Sequence, residues 1–257
     1  MDILWLGVGL AFAFILGAAA GSFVGVCVHR IPRKLPMARP LPACQSCGAE
    51  FRGSALIPLI GYAIRRGRCP ECGAGMPWRL PAAEFICGAI WAALFWRYGV
   101  SAVFAIYAVF FTILLAIFFI DIEWMRIPNI LTLCAMVPAA ASFMHHALSP
   151  LAIYRDPGAL SPLLGLIPGA GLFAAVYAFA RLFSGTDRSL GLGDVKLMFP
   201  VGLLLGFWQC LAAVAVASIL GGVVAATLLL LKRKNRKDAI PFGPFIAIGA
   251  FVAAFLG

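Results

Sequence analysis

The sequence predicts an all-α polytopic integral membrane protein of about eight transmembrane helices, with a small cytoplasmic loop domain. Two observations carry this. Of the 257 residues 63% are apolar and only 12% are charged, where a soluble domain carries roughly a quarter charged residues; and mean hydropathy is +1.00. A soluble globular enzyme is excluded. Collagen, disordered chains and disulfide-rich mini-proteins fall too, because glycine has no three-residue period, the charge is too low, and eight cysteines are sparse over this length.

Residues 3–28 form a run of 26 uncharged residues, long enough at about 1.5 Å per residue to cross a hydrocarbon core of about 30 Å. The run is too long for the apolar part of a secretory signal, and its leading flank carries Asp2 but no basic residue, so it reads as a retained anchor. Further apolar segments run over 80–96, 98–120, 127–144 and 157–180, each one plausible crossing. Pro162 and Pro168 predict kinks in the last of these. Residues 197–231 hold 35 uncharged positions, too many for one ordinary span and barely enough for two. A break near 206–209 makes two short helices and returns the basic block 232–237 to the cytoplasm, as the positive-inside bias requires. Residues 239–256 then form the eighth span. This topology puts both termini outside and leaves only Arg97 and Arg155, of 20 basic residues, on the outer side. A seven-helix topology is the competitor. The net charge of +10 therefore reads as a topology signal and not as a nucleic-acid surface.

The 30–80 loop contains Cys44-Gln-Ser-Cys47-Gly and Cys69-Pro-Glu-Cys72-Gly. Each pair can form a tight turn that aims two thiolates at one ion, and the glycine admits a backbone geometry that a Cβ hinders. Cys44, Cys47, Cys69 and Cys72 thus point to a structural zinc ion and a small cytoplasmic zinc-binding domain. The alternatives are disulfides, disfavoured in a reducing cytoplasm, and redox chemistry, disfavoured without a βαβ context. Four thiolates close the coordination shell, so catalysis must lie elsewhere. Cys27, Cys87, Cys134 and Cys210 lack partner spacing and read as small buried hydrophobes.

Of ten acidic residues, four stand at span ends: Glu84, Asp121, Glu123 and Asp194. Parity places Asp121, at the end of the third span, and Asp194, at the start of the sixth, on the same cytoplasmic boundary. The alternative for either is a salt bridge to Arg126 or Lys196. Two carboxylates sharing a site do not both ionise easily, so one keeps a proton while the other stays a base. That pair is equipped to activate water and split an amide. Gly191 and Gly193 flank Asp194 in Gly191-Leu-Gly193-Asp194-Val-Lys196 and leave room for a substrate backbone. Hydrolase signatures of the HExxH and GxSxG types are absent. His145 and His146 read as interfacial, and Gly169-Ala-Gly171 as helix packing.

These blocks resemble the type 4 prepilin leader peptidase and N-methyltransferase family, bifunctional GxGD-type membrane aspartic proteases. The likeness rests on residues 21–32 (GSFVGVCVHRIP), on the two CxxC pairs with 57–62 (IPLIGY) and 66–69 (RGRC) between them, on 121–129 and 191–196, and on 240–245 (IPFGPF). Gly25, Gln45, Leu56 and Asn129 depart from residues common in the family. The resemblance implies that Asp121 and Asp194 are the catalytic pair, supported by Gly191, Gly193 and Lys196. It implies that they cut the short basic leader of prepilins and pseudopilins at the cytoplasmic face of the bacterial inner membrane. The new amino terminus is then methylated from S-adenosylmethionine. Glu84 matches a family acidic position, read either as a methyltransferase residue or as a helix-boundary carboxylate near Arg79.

The implied organisation is a first transmembrane helix at 1–29, a four-cysteine zinc-binding domain at 30–80, and a membrane aspartic protease core at 81–257. Partners are the prepilin and pseudopilin substrates and membrane lipid, with no nucleic acid. A peptidase lacking methyltransferase activity is one alternative. A proton-coupled transporter is another, but it predicts inverted halves and polar residues along a path, and neither is visible.

Overall fold

The computed structural model describes residues 3–37, 44, 46–51, 57–148, 154, 158, 160–184, 191–232 and 240–256. The expectations for Asp2, Arg39, Arg52, Arg155 and the basic residues at 233–237 lie outside the described residues.

Nine α-helices are found among them: α1 (Ile3–Arg30), α2 (Ile60–Ile64), α3 (Arg79–Tyr98), α4 (Ala102–Trp124), α5 (Asn129–Leu148), α6 (Ser161–Leu164), α7 (Leu172–Ser184), α8 (Leu192–Leu230) and α9 (Gly243–Leu256), with a π-helical turn at Ile167–Gly171 before α7. Six helical stretches are long and apolar enough to cross a membrane: Leu4–Arg30, Arg79–Tyr98, Ala102–Trp124, Asn129–Leu148, Ser161–Phe179 and Leu192–Leu230; Gly243–Phe255 is a shorter apolar helix. Contacts divide the chain into two compact units, Met1–Ala116 and Ile117–Gly257, with the division inside α4.

In the first unit α1 and α3 pack antiparallel, because small residues let their backbones approach. A Cβ on Gly21 would stand 2.5 Å from the Ala83 carbonyl oxygen, and one on Gly17 would stand 2.7 Å from the Trp91 Cβ. Thr112 of α4 accepts from the Trp91 indole at 3.0 Å and donates to the Ala108 carbonyl. Edge-on ring contacts of Phe104 with Trp91 and Phe95, and of Tyr98 with Tyr107, complete the α3–α4 contact.

The second unit is built around α8. Its 39 residues include Gly206, at φ 71° and ψ −174°, a conformation that does not continue a helix and that glycine adopts without steric cost. The break falls where the positive-charge argument needs one. α9 packs along the second arm: Gly221 faces Phe242 and Phe245, and Gly249 faces Ala213 and Ala217. The Gly243 N–H at the start of α9 reaches Asp121 at the end of α4, and Asp121 lies within electrostatic reach of Asp194 in the first turn of α8. The start of the first arm and the middle of the second therefore lie at one level. α8 doubles back at Gly206.

The carbonyl of Leu204, beside the break, accepts from the Tyr154 hydroxyl at 2.8 Å, and the same hydroxyl stands 2.8 Å from Ser142 Oγ. Burial pushes the Tyr154 phenol up to about 12, partly offset by the Ser142 hydrogen bond, so it serves as a neutral donor. His146 is buried against the Tyr154 ring, with Nε2 3.1 Å from the Gly158 carbonyl oxygen. This corrects the interfacial reading of His146: the imidazole has a buried carbonyl partner, which favours the interior. Cys27, Cys87 and Cys210 are buried as expected, whereas Cys134 is exposed, its α5 position facing away from the unit's core.

Pro168 does distort its span. The segment passes through the π-helical turn, where the Gly171 N–H bonds the Leu166 carbonyl at 2.8 Å. Gly169 packs on α8, where a Cβ would stand 2.9 Å from the Met198 carbonyl oxygen, in keeping with the packing role expected of Gly169-Ala-Gly171. Gly165 meets Gly202 backbone to backbone, and a Cβ on Gly165 would collide with the Gly202 carbonyl oxygen. Gly165→Ala is expected to cost about 1–3 kcal/mol, since neither backbone can yield cheaply. Gly222→Ala, which meets open space, is expected to be neutral or slightly stabilising. Melting of the two purified variants checks the contrast.

Candidate functional site

Asp121 ends the apolar run of α4, and Asp194 is the third residue of α8. Both are buried, at 5% and 8% exposure. A buried carboxylate needs hydrogen-bond donors, and here main-chain amides supply them. The Gly243 N–H donates to Asp121 Oδ2 at 2.9 Å, and the Gly191 N–H donates to Asp194 Oδ2 at 3.3 Å. Both donors stand at helix N-termini, Gly243 as the first residue of α9 and Gly191 as the N-cap of α8, where the helix dipole favours negative charge. Among the described residues neither aspartate makes an ion pair; Lys196 Nζ instead donates to Asn129 Oδ1 at 3.2 Å.

The segment between α4 and α5 closes this side of the unit. Met125 ends α4 with φ 49°, its N–H bonding the Asp121 carbonyl at 2.9 Å. Ile127 then lies against Gly193, where a Cβ would stand 3.1 Å from the Ile127 Cβ. Asn129 follows with its Lys196 contact. Gly193 and Lys196 thus hold the connecting segment against the first turn of α8, beside the Asp194 carboxylate. Glu123, just beyond Asp121 in α4, is exposed.

In the first unit the four cysteines converge. Cys44 Sγ lies 3.8 Å from Cys72 Sγ and Cys47 Sγ lies 3.8 Å from Cys69 Sγ, with all four sulfurs within 4.8 Å of one another. Four thiolates about 2.3 Å from one tetrahedral ion stand about 3.8 Å apart, so the donor set fits zinc in kind and spacing. The two pairs repeat one turn. Cys44 and Cys69 donate N–H bonds to Ala49 and Ala74 at 2.8 Å and accept from Gly48 and Gly73 at 2.9 Å, with the two glycines at φ 74° and 70°. The Cys47 and Ser46 N–H groups pull the Cys44 thiol down to about 6. The Ala49 N–H lowers Cys47, but the neighbouring thiols and burial outweigh it and push Cys47 up to about 12. One thiolate forms readily there, and a set of four requires a cation.

Glu84, in α3 of the first unit, has partners of its own. Its Oε2 accepts the Leu59 N–H at 2.6 Å, and its carboxylate also bonds the Ser22 side chain. Leu59 itself is left-handed, with φ 62°.

Residues 15–98 match the bacterial peptidase A24 N-terminal domain, and residues 108–226 match the type IV leader peptidase family. A prepilin leader peptidase/N-methyltransferase of Bacillus subtilis (strain 168) is 31% identical over 96% of this chain and 94% of its own length. The chain belongs to the type IV leader peptidase family. Proteins of the same description from Burkholderia pseudomallei (strain K96243) and Legionella pneumophila are 28% and 26% identical, over 98% and 95% of this chain and 86% and 90% of theirs. No solved structure matches the chain significantly.

Within this family member, the residue that sequence reasoning missed is Gly243. It lies 122 positions from Asp121 and contributes only a backbone N–H; its signal was its place in the 240–245 block. A Cβ on Gly243 would stand 2.7 Å from Asp121 Oδ2, so Gly243→Ala must displace the carboxylate it now orients. The variant is expected to lower kcat for leader cleavage at least about tenfold, equivalent to about 1.4 kcal/mol, with KM little changed. Steady-state kinetics on a prepilin substrate measures both.

Proposed function

We propose that this protein is a membrane aspartic endopeptidase that removes the basic leader of type 4 prepilins and pseudopilins at the cytoplasmic face of the bacterial inner membrane, and that it then N-methylates the new amino terminus. The observation that carries the peptidase half is the pairing of buried Asp121 and Asp194 in one unit, each held by a helix-terminal N–H. The name that the relatives share, prepilin leader peptidase/N-methyltransferase, supports both halves and does not favour the transporter alternative.

The chemistry follows from the pair. One aspartate, as carboxylate, takes a proton from a water molecule whose oxygen attacks the scissile carbonyl carbon, while the other, protonated, donates to the carbonyl oxygen. Collapse of the tetrahedral intermediate breaks the C–N bond, a proton passes to the leaving amine, and the pair returns to one shared proton. The space beside Gly193 is filled by Ile127, so the room expected for a substrate backbone falls to Gly191, whose missing Cβ leaves the approach to Asp194 open. Lys196, through Asn129, steadies the segment that follows Asp121.

The topology belongs to the same proposal. Counting the doubled-back α8 as two crossings and α9 as one more raises the six long apolar spans to eight, with both termini outside and the four-cysteine domain and active site in the cytoplasm. Cys44, Cys47, Cys69 and Cys72 would hold a structural zinc, which contributes folding energy to the loop and no open coordination position. S-adenosylmethionine would supply the methyl group for the freed amine. Glu84, already committed to Leu59 and Ser22, fits a positioning role in that half by tying the turn at 57–61 to α1 and α3.

Mass spectrometry of a prepilin incubated with the pure protein separates the two activities. Leader loss is expected without added donor, and a further gain of one methyl group only with S-adenosylmethionine; an intact prepilin under both conditions contradicts the proposal. Prolonged chelation is expected to release one zinc per chain and to expose the 44–72 loop to proteolysis, while leader cleavage outlasts methylation.

A further inference from the structure

The turn that carries Leu59 is tied to α3, one of the helices long and apolar enough to cross a membrane. Glu84, its anchor, lies in the second turn of α3, a 20-residue helix, and a helix of that length only just crosses about 30 Å of hydrocarbon. Glu84 therefore sits about 8 Å in from the N-terminal end of that span and holds Leu59 beside it. α2 follows the left-handed Leu59, and the Gly61 N–H on the Ile57 carbonyl at 2.8 Å and the Ala63 N–H on the Leu59 carbonyl at 3.0 Å tie the preceding turn to it.

The stretch is two-sided. Gly61 is buried, whereas Ile60 and Ile64, one turn apart in α2, and Ile57 before it are 53%, 66% and 47% exposed, and Trp78, at the mouth of α3, is 71% exposed. Arg66 and Arg68 follow directly and are exposed, while Arg65 lies over the Phe51 ring. Three isoleucines and a tryptophan turned outward beside a span, next to two outward arginines, have the composition of an element that lies in a lipid interface.

We propose that α2 and its flanks are a membrane-surface anchor: the exposed Ile57, Ile60 and Ile64, with Trp78, bed into the acyl–headgroup boundary of the leaflet at the N-terminal end of α3, and Arg66 and Arg68 take the phosphates of anionic headgroups. Depth selects lipid as the occupant, because Glu84 fixes this stretch at a level where acyl chains are the surrounding medium. The arginines select negative headgroups by charge. The inference rests on α3 crossing the membrane and is independent of the aspartate chemistry. Its consequence is that the metal-binding turns, the second of which opens at Cys69 shortly after Ile64, are moored to the leaflet.

The test uses the full chain in nanodiscs of equal phosphatidylglycerol and phosphatidylethanolamine, with the photo-crosslinker p-benzoylphenylalanine in place of Ile60 or, separately, Ile64, and prepilin cleavage as the check on folding. Irradiation is expected to give lipid adducts through the acyl chain as the main product at both positions. Phosphatidylglycerol should be enriched at least about twofold over its bulk share, and an Arg66→Ala, Arg68→Ala background should abolish that enrichment. Crosslinks confined to the protein itself, or to prepilin when it is added, would overturn the anchor. Lipid adducts in bulk proportion, unaffected by the arginine substitutions, would overturn the headgroup assignment.

Discussion

Two main-chain N–H groups reaching two buried carboxylates is the constraint on which the candidate site depends. An unpaired carboxylate in apolar surroundings costs several kcal/mol, and neither Asp121 nor Asp194 has a cationic partner among the described residues. A hydrogen bond to a charged group contributes about 1.5–3 kcal/mol net, and one from a helix N-terminus adds the favourable end of the dipole. Using amides in place of arginine or lysine leaves the acids, among the described residues, without a neutralising cation, in keeping with the acid–base pair proposed for them. Both donors are glycines, Gly191 and Gly243.

Those amides arrive only because the helices that carry them pack nearly backbone to backbone. α9 can place Gly243 on Asp121 because Gly249 lets it settle against Ala213 of α8, and the first arm of α8 is set by its contact with Gly165 through Gly202. The break at Gly206, with the Leu204 carbonyl satisfied by Tyr154, lets a single 39-residue helix offer both its first turn and its second arm to the same end of the unit. Packing at one end thus sets electrostatics at the other.

The readable parts of the sequence were those where side-chain chemistry is rare or regularly spaced. Asp121 and Asp194 stood out because few acids interrupt the apolar runs, and the cysteine pairs because their spacing leaves few other uses. The break in α8 was legible from charge parity, although hydropathy alone sees one long helix. Gly243 was not legible as part of the site, since a backbone donor has no side-chain signature and the contact spans 122 residues of sequence. His146 was misread because a helix-end histidine looks interfacial until its buried carbonyl partner is seen, and Glu84's commitment to Leu59 could not be foreseen from a turn whose left-handed residue is a leucine.

If the two aspartates act as one device, removing either should remove most of what removing both removes, as groups that act as a unit are far from additive. The most direct measurement is single-turnover prepilin cleavage by Asp121→Asn, Asp194→Asn and the double variant. Each single substitution is expected to slow cleavage by at least about a thousandfold, with the double variant no slower than the worse single. Losses that multiply in the double variant, or near-parental cleavage by either single one, would contradict a shared site.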